Sequence, residues 1–427
     1  MKFFRKVLLI GLVSFYLPIC HAEMTIEITE GIESALPISI VPFGMQGASG
    51  VPVDVSFVVD ADLARSGYFK TLDKQSMPGR PNTPEAIQFK DWQALGQNYM
   101  VIGQVIEDHG QYNVQFQLFD VYKGEQLMGY RMTSSADDLR RTAHHISDLI
   151  FEKLTGKKGV FSGRIAYITS SRQGKQSNYK LQISDADGFN AQNIASSYEP
   201  LMSPSWSPDG RKIAYVSFEK KVASIYIQTL ATGERVSVAE FPGINGAPSW
   251  SPDGGKLAIT LSKDGNPDIF ILNLVNRSFT KLTRSMAIDT EPTWSPDGSN
   301  IVFTSDRGGK PQLYIMSSQG GEEKRLTFSG NYNARASFSP DGRSLAMVHG
   351  NGSDFRIAVM DMATKSVTVL TDGRSDESPS FAPNGSLILY ASRKGGSGYL
   401  SAVSLDGKMQ QKLVFNGSEI REPAWSP

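Results

Sequence analysis

The chain has 427 residues, with 43 basic and 43 acidic side chains and a single cysteine. This length exceeds the size at which one hydrophobic core usually stops growing, so we expect two domains. The balanced charge does not favour binding to nucleic acid or to an anionic membrane surface. The 40 glycines, together with frequent Pro, Asn and Ser, indicate many turns and favour an all-β region.

Residues 1–22 have the pattern of a secretory signal peptide. Small residues occupy the −3 and −1 positions if cleavage follows Ala22, and the apolar run 7–17 is too short to span a bilayer comfortably. Three basic residues precede this apolar run: Lys2, Arg5 and Lys6. We therefore expect an exported protein that begins at Glu23.

Lipoprotein processing at Cys20 is a weaker alternative, because Ile19 is bulky where such sites prefer a small residue. Without the leader the chain carries 40 basic and 43 acidic side chains and no cysteine. Neither a disulfide nor a thiol nucleophile is expected, so the cores alone must stabilise the exported protein. No later segment is apolar enough to predict a membrane span.

A repeat of about 44 residues dominates the sequence from about Phe161 onward, and such a period is the signature of a repeat architecture. Its marker is an aromatic residue followed by Ser-Pro-Asp-Gly or a close variant. Successive copies begin 44, 44, 44, 43 and 44 residues apart. The aromatic positions are Trp206, Trp250, Trp294, Phe338, Phe381 and Trp425.

Each copy of the marker predicts a tight turn between two strands. Proline sets φ near −65°, Asp or Asn suits the next position, and glycine accepts the positive φ that closes the hairpin. Alternating strands follow, such as 212–217 and 300–305, and further segments such as 312–316 and 324–327 supply a third and a fourth strand. Four short strands per unit predict the blade of a β-propeller, with the aromatic residues packed between blades.

The last copy stops at Pro427 and lacks the rest of its blade. The strands 163–169 and 180–184, at the start of the array, have no marker of their own. We expect the C-terminal strand to form the inner edge of a blade whose outer three strands come from this start. This arrangement closes a ring of six blades and removes open sheet edges.

Residues 23–157 lack the repeat and predict a small α+β domain ahead of the propeller at 158–427. The expected strands are 37–43, 99–106 and 112–120, the last with strict alternation. The expected helices are 53–65, 91–95 and 136–154.

Neither region has a phosphate-binding loop, a Gly-x-Ser-x-Gly nucleophile motif or a Cys/His metal pattern. His144 and His145 are neighbours on a predicted helix and do not face each other, so they are poor joint metal ligands. We expect surface or packing roles for the mature histidines, and neither a cofactor nor a metal.

The innermost strands begin just before each aromatic marker, so we expect their first residues to ring the central channel. Three positions before the aromatic residue lie Ser203, Ala247, Glu291, Arg335, Ser378 and Glu422. One position earlier lie Met202, Gly246, Thr290, Ala334, Glu377 and Arg421. As a set they predict a concave mouth of mixed charge, suited to gripping a peptide or a protein protrusion.

Two other interpretations of these charges stay open. The charges could simply neutralise one another in a wet channel, which is the better interpretation for any single residue. Alternatively, Glu291, Glu377 and Glu422 could serve a glycosidase or bind a small molecule, because a pair of carboxylates can hydrolyse a glycoside.

The whole chain resembles the TolB family of the Tol-Pal envelope system. The marker alone occurs in many propellers, but further matching segments, two of them in the N-terminal region, make the match close. Those segments are 37–43, 151–156, 201–204, 245–248, 290–294 and 423–427. The resemblance implies a monomeric, non-enzymatic adaptor in the periplasm of a Gram-negative bacterium, which supports outer-membrane integrity and constriction during cell division.

The resemblance also implies partners. The propeller mouth would bind the lipoprotein Pal, at a site that includes Ile244, Ala247, Thr290 and Glu291, and other outer-membrane proteins are further candidates. The family position of Ile244 is often a histidine, whose hydrogen bond an apolar side chain cannot reproduce. The N-terminal segment would bind the inner-membrane protein TolA. That segment comprises Glu23, Met24, Thr25, Ile26, Glu27, Ile28, Thr29, Glu30, Gly31, Ile32 and Glu33.

The sequence of this N-terminal segment suits such a role independently, because residues 24–29 alternate and lie near a free terminus. The segment could detach from its own domain and add as a strand to a partner's sheet. It could also be a simple edge strand, and both descriptions could hold in a switch between docked and released forms.

Overall fold

The computed structural model describes residues 25–30, 35–47, 51–174, 176–395, 397–414 and 419–427. The expected leader, its cleavage site after Ala22, and five residues of the expected TolA segment lie outside this range: Glu23, Met24, Gly31, Ile32 and Glu33. Strand β1 spans Thr25–Glu30. Across the described residues, no helix combines the length and apolarity that a membrane crossing requires.

The N-terminal domain is a mixed sheet with helices on its faces, which confirms the α+β prediction. Its elements are β2 (Leu36–Ile40), β3 (Gly44–Gln46), α1 (Val55–Arg65), β4 (Phe69–Thr71), α2 (Phe89–Ala94), β5 (Tyr99–Asp108), β6 (Gln111–Asp120), β7 (Glu125–Ser134) and α3 (Leu139–Thr155). The sheet order is β4-β2-β5-β6-β7, and β3 also pairs with β5. Single 3₁₀ turns lie at Lys74–Ser76 and Pro84–Ala86.

Both faces of this sheet are covered by apolar side chains. Helices α1 and α3 pack on one face through residues such as Leu63 and Ile146, both fully buried. The other face packs against Trp92 of α2. Asp54 caps α1 by accepting the backbone N–H of Phe57, and α3 ends at Gly156, which adopts φ 72°.

The first propeller strands in chain order are β8 (Arg164–Gln173), β9 (Gln176–Asp185) and β10 (Gln192–Ser197). The next two blades are β11 (Leu201–Trp206), β12 (Lys212–Ser217), β13 (Ser224–Thr229) and β14 (Arg235–Ala239), then β15 (Asn245–Trp250), β16 (Lys256–Leu261), β17 (Asp268–Asn273) and β18 (Phe279–Lys281). Each is a four-stranded antiparallel sheet in chain order.

The remaining blades repeat this order. They are β19 (Asp289–Trp294), β20 (Asn300–Ser305), β21 (Gln312–Ser317) and β22 (Lys324–Arg325); β23 (Tyr332–Phe338), β24 (Ser344–Gly350), β25 (Phe355–Asp361) and β26 (Val367–Val369); and β27 (Asp376–Phe381), β28 (Leu387–Lys394), β29 (Ser397–Ser404) and β30 (Gln410–Val414). The last strand is β31 (Glu419–Trp425).

The ring closes through the C-terminal strand, as the incomplete last repeat predicts. β31 pairs antiparallel with β8, giving a sheet of order β10-β9-β8-β31 in which β31 is innermost. The prediction of six blades closed in this way is confirmed. Closure by the two ends of the array thus completes this blade with four strands.

The repeat marker forms a hairpin turn with an internal hydrogen-bonded serine. In the blade of β11–β14, Ser207 Oγ donates to Asp209 Oδ1 at 2.6 Å and accepts the Lys212 N–H at 2.8 Å, and Gly210 takes φ 65°. The preceding aromatic residue joins neighbouring blades. Trp250 Nε1, for example, donates to the carbonyl of Ser205 at 3.1 Å. Trp206 and Trp294 donate in the same way to carbonyls of the neighbouring blade, so these three tryptophans fix the contact between blades.

Candidate functional site

Each innermost strand carries a bulge that turns one side chain toward the channel. The residue three positions before the aromatic marker has positive φ in every blade, from 46° at Ala247 to 56° at Ser378. The pairing register between the innermost and the second strand shifts at the same place; in the pair β11–β12 the shift lies between Met202 and Ser205. Non-glycine residues in this conformation cost about 1–2 kcal/mol each, so the ring stores backbone strain at the channel wall.

These bulge residues line a cavity of about 660 Å³ along the propeller axis. The wall includes most of the residues that the sequence predicts there: Met202, Ser203, Ile244, Gly246, Ala247, Thr290, Glu291, Arg335, Ser378 and Glu422. It also includes prolines that the sequence reasoning missed: Pro204, Pro248, Pro292, Pro379 and Pro423. A proline two positions before the aromatic residue in five of the six copies is the signal that could have found them.

Three residues expected on the rim are not part of this cavity wall: Ala334, Glu377 and Arg421. Ala334 is buried in its own blade. The guanidinium of Arg421 lies 5.6 Å from the centre of the Tyr179 ring, which draws it toward β9 and away from the axis. The ring of charge is therefore less symmetric than the repeat suggests.

Arg335 connects its own blade to three others across the channel. Its Nε donates to Glu291 Oε1 at 2.8 Å, its Nη1 donates to the Ser378 hydroxyl, and its Nη2 lies 3.9 Å from Glu422 Oε1. Burial opposes the charged form of Arg335, but the carboxylates of Glu291, Glu422 and Glu377 outweigh it and raise the guanidinium pKa. Arg335 therefore stays charged and neutralises part of the rim.

The wall glutamates also accept hydrogen bonds from the neighbouring blade. The backbone N–H of Ser203 donates to Glu422, and the backbone N–H of Arg335 donates to Glu291 Oε2 at 3.2 Å. Glu291 Oε2 also accepts the Thr304 hydroxyl at 3.0 Å. These carboxylates are occupied by structural partners, which leaves the mouth rigid and of mixed charge.

Exposed apolar side chains lie on the loops that lead into the innermost strands. Ile244 is about half exposed, and its backbone N–H donates to Ser262 Oγ at 2.7 Å. Exposed Tyr198, Met286 and Phe328 occupy the corresponding loops of other blades. Of these side chains Ile244 also lines the cavity, so an exposed apolar residue lies beside the charged wall.

Strand β1, the described part of the expected TolA segment, lies on the propeller. It pairs antiparallel with β30 from Thr25↔Val414 to Glu30↔Gln410 and becomes the fifth strand of that blade. The expectation that the segment belongs to its own domain is thus wrong for these residues. The edge of β30 offers them a free row of backbone groups.

The histidines lie in different settings. His109 and His145 are exposed, and His349 is buried beside Asn333, with 2.8 Å between His349 Nδ1 and the Asn333 amide oxygen. His144 is buried where the two domains meet, with Asp62 and Asp187 close enough to share a metal ion. Sequence reasoning missed this cluster, because Asp187 comes from the β9–β10 turn, which no local pattern connects to α3.

Comparisons with known proteins agree with this geometry. The family described as the TolB amino-terminal domain matches residues 24–127, and the TolB beta propeller domain matches residues 151–427. The chain is 61% identical over 406 residues to the Tol-Pal system protein TolB of Methylococcus capsulatus, covering 95% of each chain. The chain belongs to the TolB family. A second TolB, of Nitrosococcus oceani, is 61% identical over 422 residues, covering 98% of this chain and 96% of the relative.

Among solved structures, TolB from Acinetobacter baumannii matches with a TM-score of 0.87 at 42% identity. The match covers 95% of this chain and all of that one. A TolB-family chain is a component of the Tol-Pal system, so the resemblance stated from the sequence is confirmed.

Proposed function

We propose that this protein is a non-enzymatic periplasmic adaptor of the Tol-Pal system, supporting outer-membrane integrity and constriction during cell division. In this proposal it binds Pal through the propeller mouth and TolA through the N-terminal segment. Membership of the TolB family along nearly the whole chain is the observation that carries the proposal.

The geometry of the mouth supports a protein partner. A rigid concave wall of strained bulges holds its charges in fixed positions, so an incoming loop meets a preorganised surface. The exposed apolar side chains around it, Ile244 among them, add contact area at the perimeter. Both oxygens of Glu291 accept hydrogen bonds from protein groups, which fits binding better than turnover, because a general acid or base needs a carboxyl oxygen free to exchange a proton with the substrate.

The backbone ladder of β1 supports the proposed role of the N-terminal segment. Without β1, the blade of β27–β30 already has four strands, the same number as each of the other blades. Its release from β30 would therefore leave a complete blade and free the segment to pair with a partner's sheet edge. Docking on β30 and binding to TolA would compete for the same backbone groups.

The Pal site is tested by calorimetry with the soluble domain of Pal and the double variant Thr290→Ile/Glu291→Lys. We expect at least a tenfold loss of affinity, because the variant places wrong charge and extra bulk on the wall. The control is Glu234→Lys, an exposed residue of the β13–β14 turn at the opposite end of the blade. Equal affinities for the double variant and the unaltered chain would remove the proposed site.

The TolA site is tested by deleting residues 23–33. We expect the circular dichroism spectrum and the affinity for Pal to stay as in the full mature chain, while binding to TolA is abolished. Retained binding to TolA would contradict the assignment of the segment, and a chain that no longer folds would show that β1 is structural.

A further inference from the structure

The sheet of the N-terminal domain ends in an edge strand, β7, that has no outer neighbour among the described residues. In the order β4-β2-β5-β6-β7, this strand pairs with β6 on one side only. A register shift near its start leaves a regular ladder at 128–134, about 23 Å long. Alternate backbone groups of this stretch point away from β6, and such a row is a template for an added strand.

Strand β7 lacks most of the features that usually block an exposed edge. Edge strands are protected by short length, by proline or lysine, or by a covering loop. The strand spans ten residues, and its sequence contains neither proline nor lysine. Within the part of the chain that the structure describes, its regular ladder has no backbone partner other than β6. The edge is therefore open to pairing.

The face of β7 that packs toward the helices is apolar up to the edge. Met128 and Met132 are partly buried against the core beneath α1 and α3. Tyr130 lies between them in sequence and is 51% exposed, with its ring centre 5.9 Å from that of buried Phe116. Apolar side chains of an added strand would cover this exposed surface.

The opposite face of β7 borders a polar groove of about 460 Å³. Its lining includes Gln115 and Gln117 of β6, Arg131 of β7 and the loop 82–85. Gln115 lies directly opposite Arg131 in the β6–β7 ladder. The groove leaves room beside Arg131 for a polar side chain of an added strand.

The guanidinium of Arg131 is held in place but is not neutralised. In the amide orientation that satisfies both groups, the Gln115 side-chain oxygen accepts from Arg131 Nε at 3.1 Å and from Nη2 at 3.0 Å. No carboxylate of the described residues forms an ion pair with Arg131. Nη1 is therefore left to donate, and a guanidinium matches the geometry of a carboxylate. An acidic residue is the preferred neighbour.

Strand β1 shows the same kind of pairing at another edge of this molecule. Residues 25–30 read Thr-Ile-Glu-Ile-Thr-Glu and add antiparallel to β30. In that ladder Glu27 lies opposite Lys412, and Ile26 lies opposite Leu413. A strand that alternates apolar and acidic residues thus pairs with an edge that offers a basic residue beside an apolar one. The edge of β7 offers the same combination.

A second copy of the chain is a poor occupant of this edge. If two β7 strands paired antiparallel about a centre near Tyr130, the two Arg131 residues would lie opposite or diagonal to each other on one face. Like charges in these positions destabilise a sheet. Charge complementarity instead favours a different chain that carries a carboxylate at this point.

We propose that β7 is a docking edge for an extended segment of another protein that alternates apolar and acidic residues. Pairing along 128–134 places an acidic residue opposite Arg131 and apolar residues opposite Tyr130 and Met132. Backbone hydrogen bonds supply affinity, and the alternation supplies specificity. The site is separate from the channel mouth, whose described lining contains no residue of β7, and from the edge of β30.

The preference for acidic residues is tested by fluorescence anisotropy on the full mature chain. The probe is a fluorescein-labelled peptide, Thr-Ile-Glu-Ile-Glu-Ile-Thr, and the matched control peptide has lysine in place of both glutamates. We expect the glutamate peptide to bind about fivefold more tightly or better. Overall charge would favour the lysine peptide, since the mature chain has 40 basic and 43 acidic side chains. No binding, or equal binding of the two peptides, would overturn the proposal.

Two exposed variants locate the preference on the sheet. Arg131→Glu should reverse it, so that the lysine peptide binds more tightly. Lys70→Glu makes the same change of charge on β4, at the opposite edge of the sheet, and should keep the original preference. The same preference in Arg131→Glu as in the unaltered chain, or a reversal in both variants, would place the binding elsewhere and refute the assignment to β7.

Hydrogen exchange shows which edge the peptide occupies. An excess of the glutamate peptide should slow amide exchange at 128–134. Slower exchange confined to 410–414 would overturn the proposal, because the peptide would then have replaced β1 on β30. Concentration-dependent dimers in sedimentation, with 128–134 protected in the absence of peptide, would also overturn it, since a second copy would then cover the edge.

Discussion

Replacing Arg335 by methionine tests the idea that one cation holds the channel wall together. The substitution keeps most of the aliphatic volume but removes the donors to Glu291 and Ser378 and the charge near Glu422. Breaking a fully buried ion pair costs about 3–5 kcal/mol. Because the Arg335 side chain is 30% exposed, water screens part of this effect, and we expect about 2–3 kcal/mol.

Urea unfolding of the mature chain, followed by tryptophan fluorescence, measures this loss. The matched control is Arg343→Met, whose side chain is 87% exposed and lies 3.9 Å from Asp341, and we expect it to stay within about 0.5 kcal/mol of the unaltered chain. Adding Glu291→Gln to Arg335→Met should recover part of the loss, because it removes an unpaired carboxylate. Equal stability of the two arginine variants, or no recovery in the double variant, would refute the reasoning.

Two further predictions concern the bulges and the turns. Ala247 has φ 46°, which disfavours a β-branched side chain. Ala247→Val should therefore lower the free energy of unfolding by about 1–2 kcal/mol, whereas Ala247→Gly should not. Urea unfolding compares the two variants, and equal losses would contradict backbone strain at this residue. The Ser295 hydroxyl, with the Ser299 N–H and hydroxyl, lowers the pKa of Asp297 to about 2. Its contribution to stability should be present above the ordinary carboxyl range and be lost as pH falls through about 2. Ser295→Ala should move the NMR midpoint of Asp297 upward, and an unmoved midpoint would rule out the hydroxyl as the main cause.

Much of the propeller could be predicted because the repeat encodes it locally. The turn residues after Trp206 specify a hairpin, and the predicted strands 212–217 and 300–305 have the bounds that the structure shows. Ring closure was also predictable, since Trp425 begins a repeat that lacks its outer strands. These features depend on short-range turn chemistry and on the number of repeat copies and strands in the sequence.

The N-terminal domain was predicted less completely. Helix α1 begins at Val55, close to the expected 53, but β7 (Glu125–Ser134) was missed because half-buried and exposed residues follow one another without clear alternation. Strand β1 pairs with β30, almost 400 residues later in the chain, and no local pattern records such a partner.

The lining of the channel was predicted in outline and corrected in detail. The first residues of the inner strands reach the channel because of the bulges. The positive φ at Ser203 and at the equivalent residues of the other blades was not predicted from the sequence. Arg421 lies against an aromatic ring of its own blade and not on the cavity wall, and this contact depends on the folded neighbourhood of the side chain. The buried cluster of Asp62, His144 and Asp187 combines residues from three separate elements, so only the folded chain brings it together.

A hydrogen-exchange footprint tests the central claim, that the propeller mouth binds Pal, most directly. With the soluble domain of Pal in excess, we predict slower exchange at the starts of the inner strands, around residues 202–203, 246–247 and 290–291. The β13–β14 turn at the opposite end of the blade should not change. Protection confined to the N-terminal domain, or none at the inner strands, would contradict the account.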